Sequence, residues 1–129
     1  MCLCARGEAG LREAEKAVSD AAGDRASVLA VTADVSRPEG VQHVIDRTAA
    51  AFGGIDILVN NVGFAAGGGL LETTDAEWKE AIDQTLFPSV RASRVVVPHM
   101  LRRGGAALGA IAQLLGLDGV VRTPLAASR

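Results

Sequence analysis

Tyrosine is absent from the 129 residues, and aromatic residues make up only 3% of them. No phenol is therefore available for proton transfer, and no aromatic platform for stacking bases. With no basic stripe either, nothing points to nucleic acid. No apolar run reaches the roughly 18 residues that suggest a membrane span. Met1 to Arg6 is too short for a signal peptide with a charged start and an apolar middle. Cysteine is scarce. Cys2 and Cys4 alternate along a strand-like stretch, share a face and cannot bridge without strain. His43 and His99 lie too far off in sequence to complete a metal site with them. The formal net charge is −2 and the sequence pI about 5.6. These absences leave a soluble cytoplasmic protein, with no membrane or nucleic-acid partner, as the default expectation.

What is present is apolar and periodic. Hydrophobic residues make up 49% of the chain, enough for a core, and residues 1–129 read as a single incomplete domain. The organising stretch is Gly54-Ile55-Asp56-Ile57-Leu58-Val59-Asn60-Asn61-Val62-Gly63. It is too short for a buried helix and too apolar for a half-exposed strand, so it reads as a parallel strand covered on both faces. Asn60-Asn61 and Gly63 then turn the backbone, at the carboxyl end where open α/β sheets hold ligands.

The rest of the chain supplies the same rhythm. Cys2 to Ala5 reads as a strand, and Glu8 to Ala22 as a helix with Leu11, Ala14, Ala17 and Val18 inward, stopped by Gly23. Ser27 to Ala33 is the second strand. Ser36 is a candidate N-cap and Pro38 suits a first helical turn, opening a helix to about Phe52 with Val41, Val44, Ile45 and Thr48 inward. Gly53-Gly54 ends it. Ala65 to Gly69 reads as a flexible loop rather than a phosphate cradle, because it lacks a Gly-Lys-Ser/Thr ending. Thr74-x-x-Glu77 is a capping box for a helix over Asp75 to Met100, which Pro88 should bend or split. By position Ala106 to Leu117 should be a buried strand, but its Ala, Gly and Leu content leaves helix open. Strand–helix alternation gives an α/β class with a partial doubly wound, Rossmann-like parallel sheet.

Several of these residues resemble the short-chain dehydrogenase/reductase family. Asn60-Asn61-Val62-Gly63 is similar to its Asn-Asn-Ala-Gly segment, and Asp34-Val35 to the Asp-Val after its third strand. Trp78 resembles the Trp near the start of its long helix, and Val97-Pro98-His99-Met100 that helix's end. Leu125-Ala126-Ala127-Ser128-Arg129 falls where the family has Tyr-x-x-x-Lys. The resemblance implies an NAD(P)-dependent oxidoreductase fold that moves hydride to or from a carbonyl or alcohol carbon. It also implies that the first βα unit and the C-terminal strands are lacking.

For the cofactor, the resemblance implies a vestigial NADP site. Arg6 stands where related enzymes place a base for the 2′-phosphate, Asp34 and Val35 where they line the adenine, and Asn60, Asn61 and Gly63 under the adenosine ribose. No Gly-x-x-x-Gly-x-Gly loop precedes Arg6 to bind the pyrophosphate. The catalytic positions all depart from the pattern: Leu125 for Tyr, Arg129 for Lys, Gln113 for Ser and Thr85 for Asn. An aliphatic side chain cannot exchange a proton. His99 reads as a helix-end residue beside the dipole and Asp56 as structural, so no catalytic and no metal residue is assigned. Arg91 falls where the related pattern has an apolar residue.

The expected missing strand would lie between Cys2–Ala5 and Ile55–Asn60 and leave two edges unpaired, so poor stability or self-association is expected. Three functional readings follow. One is a family homologue without turnover, and another an NADP-dependent reductase using an unusual acid. The third is a non-catalytic subunit whose long helix, Asp75 to Met100, joins an intact relative.

Overall fold

A computed structural model describes residues 1–23, 27–63, 71–104, 107–111 and 120–124; for 107–111 and 120–124 only the backbone is described. The Ala65–Gly69 loop, Gln113, Leu125 and Arg129 lie outside these residues. The elements run β1 (Cys2–Ala5), α1 (Glu8–Ala22), β2 (Leu29–Thr32), α2 (Pro38–Phe52), β3 (Ile57–Asn60), α3 (Asp75–Arg102), β4 (Ala107–Ile111) and β5 (Val120–Pro124). The fold is α/β.

Parallel neighbours cannot be joined by a tight turn, so each needs a crossover helix. α1 links β1 to β2, with Cys2 opposite Leu29 and Ala5 opposite Thr32. α3 links β3 to β4, with Ile57 opposite Ala107 and Asn60 opposite Ala110. Residues 107–111, left open between strand and helix, form a strand. β5 pairs antiparallel to β4, an addition to the parallel arrangement expected from the sequence. Among the described residues β1–β2 and β3–β4–β5 are separate sheets. The sheet is therefore partial, and among the described residues β1 and β3 each present an edge without a strand partner.

One core joins the two sheets. Val41 and Ile45 of α2, Ile55 ahead of β3, and Val96 and Met100 of α3 form a buried cluster. Val35, Leu58, Ala92 and Val95 pack around it. At 20–33 cal/mol per Å² of apolar surface, each such side chain contributes about 1.5–3 kcal/mol. The inward face of α2 matches its sequence periodicity, with Val44 and Thr48 half-buried beside Val41 and Ile45. Gly53 ends α2 at φ 72, a left-handed cap that favours glycine.

Four expectations need correction. β3 is not covered on both faces: Leu58 and Asn60 face the α2–α3 layer, while Ile57 and Val59 remain 66% and 57% exposed. Apolarity fixes what a strand can bury, but no described helix reaches that face. In α1, Ala14 and Ala17 are exposed; the covered face runs through Leu11, Val18 and Ser19, the face that packs on β1 and β2. Ser36 is not the N-cap of α2. Arg37 holds that position without a side-chain cap, since Pro38 is the first helical residue and Ser36 is used one turn earlier. Finally, Pro88 does not split α3, which is assigned as one helix from Asp75 to Arg102 with Pro88 and Pro98 inside it. Pro88 is fully buried, so its packing offsets part of the roughly 3 kcal/mol that an interior proline costs.

Candidate functional site

The sequence-predicted residues fall at the carboxyl ends of the parallel strands. Arg6 directly follows β1, and Asp34 and Val35 follow β2. The Ala33 amide donates to the Ala5 carbonyl at 3.0 Å, which carries the β1–β2 ladder one step beyond the strands. Arg6 and Asp34 therefore emerge side by side, close enough for the Arg6 charge to favour the Asp34 carboxylate.

Asp34 builds its own turn. Its Oδ1 accepts the Ser36 amide at 3.0 Å and the Ser36 hydroxyl at 2.6 Å, and its carbonyl accepts the Arg37 amide at 3.2 Å. An aspartate that takes the amide two residues on is an Asx turn. Those two Ser36 bonds, with Arg6 and Arg37 adding charge, hold the Asp34 carboxyl below the ordinary carboxylate range. Arg37 Nε lies 3.7 Å from Oδ2, which leaves that oxygen the more open of the two. Val35 points the other way, onto the core cluster. Gly40 in the first turn of α2 sits against the same turn: a Cβ there would overlap the Asp34 carbonyl oxygen. Only glycine lets the helix approach this closely.

Asn60, Asn61 and Gly63 belong to the other sheet. Asn60 ends β3 and is buried at 6%, a polar side chain inside an apolar layer. Asn61 and Gly63 are exposed. Asn60 lines a mainly apolar cavity of about 570 Å³ with Ser89, Val90, Ser93, Arg94 and Val97 of α3. The two groups of residues do not share a sheet. α3 ties them: Ser89 and Val90 line the Asn60 cavity, while Arg91, next in sequence, donates from Nη1 to the Ser36 carbonyl at 2.6 Å. A smaller hollow of about 360 Å³ lies at Ser36 and Arg91. Its rim charges are satisfied along α3, where Lys79 meets Asp83 at 2.5 Å and Gln84 donates to Glu80 at 2.9 Å.

The remaining polar residues are occupied with structure. Thr85 turns its hydroxyl back to the Ala81 carbonyl at 2.6 Å. Asp56 accepts from Arg103 Nε at 2.6 Å and ties the start of β3 to the end of α3. His99 lies in the last turn of α3, at the negative end of the helix dipole. Burial pushes the Cys4 thiol up, and the nearby Cys2 adds to it. No group of His, Cys, Asp or Glu suited to a metal occurs among the described residues.

The family model for short chain dehydrogenases matches residues 1–127. The chain belongs to the short-chain dehydrogenase family. The chain is 32% identical, over 74% of its length, to 2-dehydro-3-deoxy-D-gluconate 5-dehydrogenase of Escherichia coli. It is 36% identical, again over 74%, to 3beta-hydroxysteroid dehydrogenase 1 of Eggerthella lenta. It spans 38% and 36% of those two relatives. Among solved structures, L-sorbose reductase of Gluconobacter frateurii with NADPH and L-sorbose superposes with a TM-score of 0.73 at 38% identity. That match covers 83% of this chain and 40% of the reductase. F189W actinorhodin polyketide ketoreductase with NADPH gives a TM-score of 0.78 at 32% identity, covering 93% and 46%. The fold is thus that of NAD(P)-dependent dehydrogenases and reductases, and the chain carries less than half of it.

The Arg91–Ser36 contact was not foreseen. Its sequence signal was present, a guanidinium at a helix position where the resemblance expects an apolar residue, but its target could not be read from spacing alone.

Proposed function

We propose that this chain is a short-chain dehydrogenase homologue that holds the adenosine end of NADP and performs no hydride transfer of its own. The donor set supports the first half. Arg6 supplies a guanidinium for a 2′-phosphate, no carboxylate at that position claims the ribose hydroxyls, and Asp34 Oδ2 can accept from the adenine amine. Asn60, Asn61 and Gly63 would lie under the ribose. When bound, the nicotinamide of this cofactor would supply the hydride; the chain's own residues would bind and orient the adenosine.

The observation that carries the second half is the lack of any tyrosine, together with Leu125, Arg129, Gln113 and Thr85 at the four catalytic positions. Thr85 adds to this, since its hydroxyl is engaged by its own helix backbone. A side chain bonded within the helix does not support a relay water. The test is a hydride-transfer assay with NADPH and a panel of carbonyl compounds, beside calorimetric titration with adenosine 2′,5′-bisphosphate. Binding without NADPH consumption is the expected outcome. NADPH consumption matched by reduced product would overturn it and favour a reductase with an unusual acid.

A second reading has its own support. Trp78, Ile82, Leu86 and Val90 recur every fourth residue on α3 and are all exposed. Such a stripe is one helical face, and monomers rarely leave one open. It suits packing against a second copy or an intact relative. Light scattering of Leu86→Asp beside the unaltered chain tests it: loss of an oligomer supports the pairing, and a monomer in both cases removes it.

A further inference from the structure

The geometry points to Arg91 as a positioning residue that holds the Asp34–Ser36 turn in the form that meets an adenine nucleotide. This rests on the nucleotide-binding reading above and adds a residue outside the strand ends.

The turn between β2 and α2 is held from three sides. From within, Asp34 Oδ1 gathers the Ser36 amide and hydroxyl. From below, Gly40 of α2 lies against the Asp34 carbonyl. Neither contact engages the third corner, the Ser36 carbonyl. Arg91 closes that corner from another element, 55 residues on, with a charge-assisted bond of 2.6 Å. Its guanidinium is in turn steadied over the Phe87 ring, 5.3 Å from the centroid, one helical turn back on α3. A planar, pre-organised fork loses less freedom in making such a bond than a lysine does. The bond is a direct side-chain link between α3 and this turn, which ties the turn to the core helix. A carboxylate is useful to a ligand only if its less engaged oxygen is held in place; Asp34 Oδ2 meets only the long 3.7 Å contact to Arg37 Nε among the described residues, and Arg91 limits how far the peptide beside it can rotate.

The test uses Arg91→Met, which keeps the apolar stem and removes the donor, and Arg91→Lys, which keeps one donor. Two readouts are taken on the full chain. The first is amide hydrogen exchange at Ser36 and Arg37, with Leu11 of α1 as an internal control. In Arg91→Met the Ser36 and Arg37 amides should exchange about tenfold faster while Leu11 is unchanged, and Arg91→Lys should fall between. The second is calorimetric titration with adenosine 2′,5′-bisphosphate, where Arg91→Met should weaken binding about fivefold to tenfold and Arg91→Lys should recover part of it. If the unaltered chain binds but both variants bind equally well, the inference fails and the nucleotide reading stands. If the unaltered chain does not bind, the nucleotide reading fails and the positioning role with it. A uniform rise in exchange that includes Leu11 would mean general loosening and would also overturn the inference.

Discussion

The α1 layer and the α2–α3 layer are filled unequally. On the α2–α3 side, Val41, Ile45, Ile55, Val96 and Met100 are all buried in one cluster. Around α1, Leu11 and Val31 are buried outside that cluster, and on the uncovered face of β3 Ile57 and Val59 stand exposed. The open face of β3, with Ile57 and Val59, is at least as apolar as its covered face, with Leu58 and Asn60, so the difference lies in what covers them. α1 packs mainly on β1 and β2, whereas α2 and α3 pack on each other and on β2 and β3 respectively. Cooperative stability therefore resides in the α2–α3 layer, with the α1 layer its dependent.

The largest effect should come from the filled side. Met100→Ala would open a cavity among Val41, Ile45 and Val96 and should lower stability by about 2–5 kcal/mol in denaturant unfolding, against a total that rarely exceeds 15. A loss under 1 kcal/mol would break the comparison. Gly40→Ala should destabilise by about 1–3 kcal/mol, because the new methyl overlaps the Asp34 carbonyl. Thr74→Ala removes the reciprocal capping box of α3, in which the Glu77 amide donates to Thr74 Oγ1 at 3.3 Å and Glu77 accepts the Thr74 amide at 2.7 Å. About 1 kcal/mol should be lost. The smallest effect belongs to the open side: Ile57→Thr with Val59→Thr should change stability by no more than about 0.5 kcal/mol per site, while reducing aggregation in light scattering. A large loss there would show that a partner covers that face.

Acid should act locally as well. The backbone and side-chain bonds from Thr74 hold the Glu77 carboxyl below its ordinary range, and those from Ser36 do the same for Asp34. Groups depressed on folding contribute above their unfolded pKa, and that contribution is lost as pH falls through the folded value. The first turn of α3 and the Asp34 turn should therefore loosen below about pH 4, seen as faster exchange at Glu77 and Ser36 while Val96 stays protected. Both carboxylates are exposed, so the effect on global stability should be small.

Much of this fold was legible because its signals are local. The periodicity of Val41, Val44, Ile45 and Thr48, the glycine after Phe52 and the Thr74–Glu77 pair each state their structure within a few residues. The open face of β3 was not legible, since Ile57 and Val59 report their own affinity for apolar surroundings and nothing about whether a helix arrives. Ser36 misled for a related reason: the same hydroxyl suits a helix cap or an aspartate turn, and Asp34 two residues earlier claimed it. Ala107–Ile111 carries little β-branching, so its pairing with β3 decided its form. At the candidate site, the placement of Arg6, Asp34, Val35 and Asn60 at strand ends could be read from the βα rhythm. The reach of Arg91 to Ser36 could not, because it joins residues far apart in sequence.

The seat of Gly40 against the Asp34 carbonyl has a mechanical meaning. With no slack between them, the turn and α2 must travel as one body, and Val41 and Ile45 on that helix are set into the centre of the protein. A molecule that tugged on the turn would thus be pulling a lever whose far arm ends among the best-packed side chains.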